Sequence, residues 1–360
     1  MAYEVYSPSL GWTIGNNQVS RNDLYRSNGE GIRANREFTK EKPPGKIRVL
    51  CFGDSYTHCD EVENHQTWQH HAEQTAPHVE FLNFGVPGYG MTQAYLRYRE
   101  VASRYAADYV IIGCMTDDLK RSVNAYYPFR YPNPEESPNA MALPYSALDE
   151  AGQLVVHPPL IANQEAYKAF LANPLPILQQ LSKADILFRK RPPTPFLTVL
   201  ADRAESLESR FGPAMSYVRE AWQRVLNLKG DKKNEGRVVR TPEQRQRIAE
   251  INRLLLLRFA EEVKASGAVP IVVWFPSPAN LRAHNTGKPR DYQPFIDFFN
   301  KREIVAVDTM DWLEEIGGKG QPLPVEKLLA RVHFSASTNA HLGRRIAGLV
   351  QNLTKPPLPE

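Results

Sequence analysis

Short apolar runs rich in β-branched residues recur along the chain, separated by stretches of helical periodicity. The runs are Ile47–Phe52, Val79–Phe84, Tyr109–Ile112, Val269–Phe275 and Ile304–Val307. Each has the length of a strand and is apolar nearly throughout rather than alternating, the pattern of strands buried on both faces of a parallel sheet. Helical spacing follows the first two runs, over Thr67–Thr75 and Thr92–Tyr105, and precedes the fourth. There Ile248, Ile251, Leu254, Leu255, Phe259 and Val263 mark one face of a helix over Pro242–Ser266. Thr241, Pro242 and Glu243 give it a cap, a first-turn proline and an early acid. A final helix is predicted over about Ser337–Leu353. Alternation of this kind, with right-handed crossovers, predicts an α/β fold of three layers, α/β/α, around a parallel sheet.

The alternation stops between residues 120 and 240. Asn124–Pro144 is rich in aromatics and proline, and Gln164–Leu181, Pro195–Arg210 and Ala214–Leu228 read as amphipathic helices. The stretch 120–240 is therefore a mostly helical insertion in an α/β domain spanning 47–354. It is either a lid or substrate wall, or a packing or dimerisation appendage. Residues 1–46 carry turn signals at Asn16-Asn17, Asn28-Gly29 and Gly31 and read as a small β-rich arm. Residues 355–360 form a proline-rich flexible tail.

Composition narrows the function classes. Of 360 residues, 42% are hydrophobic and 23% charged, an ordinary globular balance. The 44 basic residues exceed the 40 acidic ones by only four, too small and scattered a surplus for nucleic acid as partner. No apolar run approaches the roughly 20 residues of a membrane span. The N-terminus shows no basic-then-apolar leader, which predicts a cytoplasmic protein. Cys51, Cys59 and Cys114 fit neither a disulfide framework nor a zinc site. Nothing in the pattern sets an oligomeric state.

In a doubly wound sheet, ligands bind beyond the carboxyl ends of the strands. The first run is followed by Gly53-Asp54-Ser55-Tyr56-Thr57, the second by Gly85-Val86-Pro87-Gly88-Tyr89-Gly90, and the third by Gly113-Cys114-Met115-Thr116-Asp117-Asp118. Val332-His333-Phe334-Ser335 precedes the last helix. A hydroxyl, a glycine-rich backbone, an acidic pair and an imidazole thus meet at one sheet edge. A serine beside a neutral histidine suits nucleophilic acyl transfer, with the Ser55 and Gly85 amides available as oxyanion donors. Taken singly, Gly-Asp-Ser is also a common helix cap, and His333 could equally be a structural histidine.

These blocks together resemble the SGNH (GDSL-type) hydrolase family: Phe52-Gly53-Asp54-Ser55-Tyr56-Thr57, Asn83-Phe84-Gly85, the Gly113-led turn and His333-Phe334-Ser335. Gly11-Trp12, Ser27-Asn28 and Gly31-Ile32-Arg33 are similar to an arm that precedes the first block in some bacterial members. The resemblance covers residues 1–120 and about 240–350. It implies a flavodoxin-like five-stranded sheet and hydrolysis or transfer of an O-acyl or O-acetyl ester of a carbohydrate or small metabolite. Ser55 would be the nucleophile, supported by Asp54, and His333 the base, with no cofactor or metal.

Two positions depart from the family. Its third block usually carries an asparagine that donates to the oxyanion, where this chain has Asp117 and Asp118, and an ionised carboxylate cannot donate. The family also places an aspartate two or three residues before the histidine, where this chain has Arg331 and Ala330. Unless Glu326 or a backbone carbonyl takes over, the chain is expected to use a Ser55–His333 dyad. An acyltransferase with the insertion excluding water is the alternative in the same chemistry. A catalytically silent glycan- or protein-binding module is the alternative of another class.

The remaining features read more plainly. Five of the nine histidines fall between His58 and His78, yet in no metal-binding spacing, so a solvated face is expected. Asp60 and Glu61 read as loop or helix-start charges. Gly85, Gly88 and Gly90 match no phosphate-binding loop. Tyr89, Tyr126, Tyr127 and Phe129 either form a substrate wall or pack the insertion.

Overall fold

The computed structural model describes residues 3–127, 142–186, 241–318 and 320–354. They fall into two compact units. The first comprises Met1–Val5, Thr13–Asp118 and Arg253–Glu360, and the second Tyr6–Trp12 and Leu119–Asn252.

After the small strands β1 (Glu4–Ser7) and β2 (Gly11–Ile14), the first unit is organised by a five-stranded parallel sheet. Its strands are β3 (Ile47–Phe52), β4 (Val79–Asn83), β5 (Tyr109–Cys114), β8 (Val269–Trp274) and β9 (Val305–Asp308), in the order β4-β3-β5-β8-β9. This is the flavodoxin-like order, and it reverses between β3 and β5. The expected α/β fold is observed, with strand ends within two residues of those read from the apolar runs.

Burial on both faces explains those runs. Val49 and Cys51 of β3 lie in a core with Trp68, Ala72, Leu342 and Ile346, from the helices over Trp68–Thr75 and Ala336–Thr354. Leu50 and Phe52 point the other way, where Phe52 stacks on Phe84 at 5.0 Å and meets Tyr98 edge-on. Each such side chain contributes about 1.5–3 kcal/mol by burial. A charged pair is buried within the sheet: Arg48 and Glu80, register partners on β3 and β4, are joined at 2.9 Å. The Arg48 guanidinium also donates to the carbonyls of Lys40 and Glu41, tying the end of the arm to the sheet.

The second unit contains the antiparallel hairpin β6 (Tyr145–Leu148) and β7 (Leu154–His157), closed by Asp149, whose carboxylate accepts the amides of Ala151 and Gln153. Sequence periodicity did not predict it. The helix expected over Gln164–Leu181 is two helices, Gln164–Ala172 and Pro174–Ala184. Asn173 separates them and Pro174 starts the second, since proline fits a first turn but not a helix interior. Asp185 is buried and accepts from Asn124 Nδ2 and the Ala125 amide, both at 2.7 Å. The expected helices over Pro195–Arg210 and Ala214–Leu228, and the tail 355–360, lie outside the described residues.

Candidate active site

Ser55 begins a single helical turn, Ser55–His58, immediately beyond β3. Asp54 caps it, its Oδ1 accepting the Tyr56 amide at 2.8 Å, so the acid beside Ser55 holds the turn that presents it. The turn sits against the ends of neighbouring strands because those ends carry glycine. A Cβ on Gly85 would stand 2.4 Å from the His58 nitrogen, and one on Gly113 would stand 2.1 Å from Thr57 Oγ1. No other residue permits that approach.

His333 arrives on the loop between the helices over Val325–Leu328 and Ala336–Thr354. The Tyr56 hydroxyl donates to the Val332 carbonyl at 3.0 Å, and the Tyr56 ring lies 5.1 Å from the imidazole. Ser55 Oγ and His333 Nε2 are 2.8 Å apart, hydrogen-bond distance across 278 positions of sequence. The Ser55 hydroxyl is 3.4 Å from Asp54 Oδ2, a weaker contact.

Glu61, read from the sequence as a loop charge, is the carboxylate that faces the histidine. Its Oε2 accepts the amides of Arg331 and Val332 at 2.9 Å and of His333 at 3.2 Å. Its Oε1 stands 3.2 Å from His333 Nδ1, off the line of the ring N–H, an ion-pair distance with no formed hydrogen bond. Such contacts often tighten only when substrate is bound. Glu326 does not fill this place: it is exposed and pairs with Arg282 at 3.7 Å. The cluster therefore holds three groups, where two were expected.

The charges are matched to this arrangement. Burial opposes a charged His333 ring, but Glu61, Asp60 and Asp54 outweigh it and raise its pKa above 6.5. Burial also opposes ionisation of Glu61, yet the His333 ring and the amides of Val332 and His333 prevail and bring it down to about 2. An ionised Glu61 keeps the proton of a neutral imidazole on Nδ1. That leaves the Nε2 lone pair facing the Ser55 hydroxyl.

Other residues singled out from the sequence lie as follows. The Gly85 amide donates to Asn83 Oδ1 at 3.0 Å, an Asx turn, so in this conformation it is engaged within its own loop. Asp118 is buried and accepts the Met115 amide at 2.9 Å, a turn-closing role. Asp117 lies half-buried in the first turn of the helix over Thr116–Arg121. Tyr89 is wholly buried, with Thr13 bonded to its hydroxyl, and so presents no wall to a substrate. In the second unit Tyr126 is also wholly buried, edge-on to Phe170, and Tyr127 packs edge-on against Trp12. Packing occupies the faces that a wall would need. Phe129 lies outside the described residues.

Among the described residues no group of three metal-ligating side chains stands together. The histidine-rich segment disperses. His58 is buried between Tyr3 and Asp60, against the expectation of a solvated face, while His65 is exposed beside Glu63. Burial raises the Cys59 thiol to about 12, so it is no thiolate. No helix among the described residues is long and apolar enough to cross a membrane.

No family model matches the chain, and no curated protein is detectably similar to it. Solved structures do resemble it at a distance. One is a G-D-S-L family lipolytic protein from Desulfitobacterium hafniense, at 11% identity over 84% of this chain and 99% of that one, with a TM-score of 0.38. Another is a G-D-S-L family lipolytic protein from Veillonella parvula, at 14% identity over 85% and 98%, with a TM-score of 0.30. A third is a catalytic mutant of an acetylxylan esterase from Geobacillus stearothermophilus, at 12% identity over 89% and 100%, with a TM-score of 0.34. Likeness at this distance transfers no activity, which has to be argued from the site.

Proposed function

We propose that the chain is a serine-dependent ester hydrolase of SGNH type, in which Ser55 is the nucleophile, His333 the general base and Glu61 the acid that orients and stabilises the imidazole. The 2.8 Å contact between Ser55 Oγ and His333 Nε2, with an ionised carboxylate on the far side of the ring, is the observation that carries this reading. His333 Nε2 takes the hydroxyl proton as Oγ bonds to the ester carbonyl carbon. Collapse of the tetrahedral adduct breaks the ester C–O bond, and the same proton leaves with the alcohol. Water then adds to the acyl-Ser55 carbonyl, giving its proton to His333, and Ser55 departs with that proton as the acid is released. Glu61 moves no proton and stabilises the imidazolium at each stage. An O-acyl or O-acetyl ester of a carbohydrate or small metabolite is the substrate class that the sequence blocks suggest.

The Ser55 amide is the oxyanion donor in this reading. The Gly85 amide joins it only if substrate displaces Asn83 Oδ1, and Asp117 offers no donor when ionised. A catalytically silent binding module is the second reading that this shortage favours. Intact-mass labelling with a fluorophosphonate separates the two. A single adduct on the wild type, lost in Ser55→Ala and strongly slowed in His333→Ala, supports the enzyme. No adduct on folded protein supports the silent module.

A further inference from the structure

The loop that carries Glu61 is held in place by residues of the N-terminal arm. Beyond the Ser55 turn the chain passes through two left-handed non-glycine residues, Cys59 (φ 66°) and Glu61 (φ 72°). Such a path persists only where the surroundings over-determine it. Arg33 supplies most of that determination. Its guanidinium, almost fully buried, donates to the carbonyls of His58, Cys59 and Val62, the last two at 2.6 and 2.5 Å, while its Nε donates to Asn64 Oδ1 at 3.0 Å. A planar fork of N–H donors can gather several carbonyls in this way, whereas a lysine ammonium cannot.

Other arm residues complete the mould. The Tyr25 hydroxyl accepts the Glu61 amide at 2.8 Å, and the Tyr25 ring lies 4.5 Å from the Arg33 guanidinium carbon. Tyr3 Oη is 2.8 Å from His58 Nε2, and His58 Nδ1 is 2.5 Å from Asp60 Oδ1, fixing the residues on either side of Cys59. Asn64 exchanges hydrogen bonds with the backbone of Arg26. The contacts of Arg33 thus flank Glu61 on both sides, from His58 at the end of the Ser55 turn to Asn64, and through Glu61 they reach the histidine.

We propose that Arg33 is a positioning residue for the Ser55–His333 chemistry, setting the path of residues 58–62 so that the Glu61 carboxylate is aimed at His333 Nδ1 and the amides of Arg331–His333. The inference rests on the functional reading given above and adds to it a task for the arm. Arg33 touches the Ser55 turn at its last residue, His58, and not at Ser55, so its effect on the chemistry runs through Glu61 and the effects of removing the two must overlap. A residue that merely braced the fold would have effects independent of Glu61.

The test is a double-mutant cycle on the full chain with Arg33→Ala, Glu61→Gln and the two combined. Fluorophosphonate labelling rates are measured across pH, and the His333 titration is followed by NMR. Arg33→Ala is expected to slow labelling by about 100-fold, the scale of a small misplacement of catalytic groups. It should lower the His333 pKa as Glu61→Gln does, and the double variant should label no more slowly than Glu61→Gln alone. Arg33→Lys, which keeps the charge, carries the same test should the alanine variant not fold, with the same titration shift and a loss of roughly tenfold. Losses that multiply in the double variant, or a His333 titration unchanged when Arg33 is replaced, overturn the proposal. A folded wild type that takes no label overturns instead the functional reading, and the His333 titration still reports whether Arg33 and Glu61 are coupled.

Discussion

Glu61→Gln puts the orienting acid to a test in which rate and stability should part company. In the native site Oε2 is held by three backbone amides, at 2.9, 2.9 and 3.2 Å, and Oε1 faces His333 Nδ1 at 3.2 Å. The three amides demand an acceptor, so the glutamine oxygen takes the Oε2 place and its NH2 turns to Nδ1. Two donors then confront each other. The ring relieves this by carrying its proton on Nε2, which can no longer accept from Ser55. An acid-to-amide change of this kind in a serine triad lowers turnover about 10⁴-fold. Glu61→Ala leaves Nδ1 free of a competing donor and should cost less in rate, roughly 10²- to 10³-fold. Stability should run the other way. Glutamine keeps three neutral hydrogen bonds in place of charged ones, a loss of about 1 kcal/mol for each, while alanine strips all three amides of their acceptor. The expected order is therefore alanine faster and glutamine more stable. Fluorophosphonate labelling rates and hydrolysis of an activated acetyl ester measure the first, and denaturant unfolding the second. A Glu61→Gln variant that labels at the wild-type rate, with Ser55→Ala inert, would refute the role given to this carboxylate.

Gly85→Ala places a methyl 2.4 Å from the His58 nitrogen and 2.7 Å from the Thr57 carbonyl carbon, both backbone atoms of the Ser55 turn. It should destabilise by about 2–3 kcal/mol and slow labelling about 100-fold, and a wild-type melting curve would count against the close approach. Asp117→Asn exchanges a carboxylate for a donor at the third-block position and should raise turnover, by up to about 100-fold if the side chain reaches the oxyanion. An unchanged kcat would remove Asp117 from the site. Burial and Arg33 lower the His58 pKa from 6.5 to about 4, so the neutral ring favours the folded state. That contribution is complete above pH 6.5 and is lost as pH falls through 4. Glu61, brought from 4.5 to about 2, contributes above pH 4.5 and loses its share on further acidification. His333, whose raised pKa favours the folded state as pH falls, acts the opposite way with or without His58, so the His58 share is read by difference. Denaturant midpoints should change less steeply with acidification from pH 7 to pH 4 in His58→Gln than in the wild type. An equal slope in that variant would show the titration to lie elsewhere.

What could be read in the sequence was whatever is local in it. Strands buried on both faces must be apolar at consecutive positions, so IRVLCF and YVII announce themselves. The glycine after each of the first three runs is likewise local, because the Ser55 turn cannot settle against the neighbouring strand ends without Gly85 and Gly113. The β6–β7 hairpin escaped because its strands, YSAL and LVVH, alternate too weakly to show a period of two. Glu61 escaped for a deeper reason. Its partners are the amides of residues 331–333, a separation of 270 to 272 positions, and nothing beside it in the sequence distinguishes it from a solvated loop charge. Arg33 is similar: Gly31-Ile32-Arg33 stands out as a motif, but its task exists only once the arm has folded onto residues 58–62. Yet the deficit at the histidine was itself a clue. With Ala330 and Arg331 where an acid is expected, an orienting carboxylate has to come from another element. Packing limits the choice to loops at the same sheet edge, and the loop nearest the nucleophile, running straight on from its helical turn, carries Asp60-Glu61. Asp60 is taken by His58 at 2.5 Å, which leaves its neighbour, turned by a left-handed backbone, to face His333.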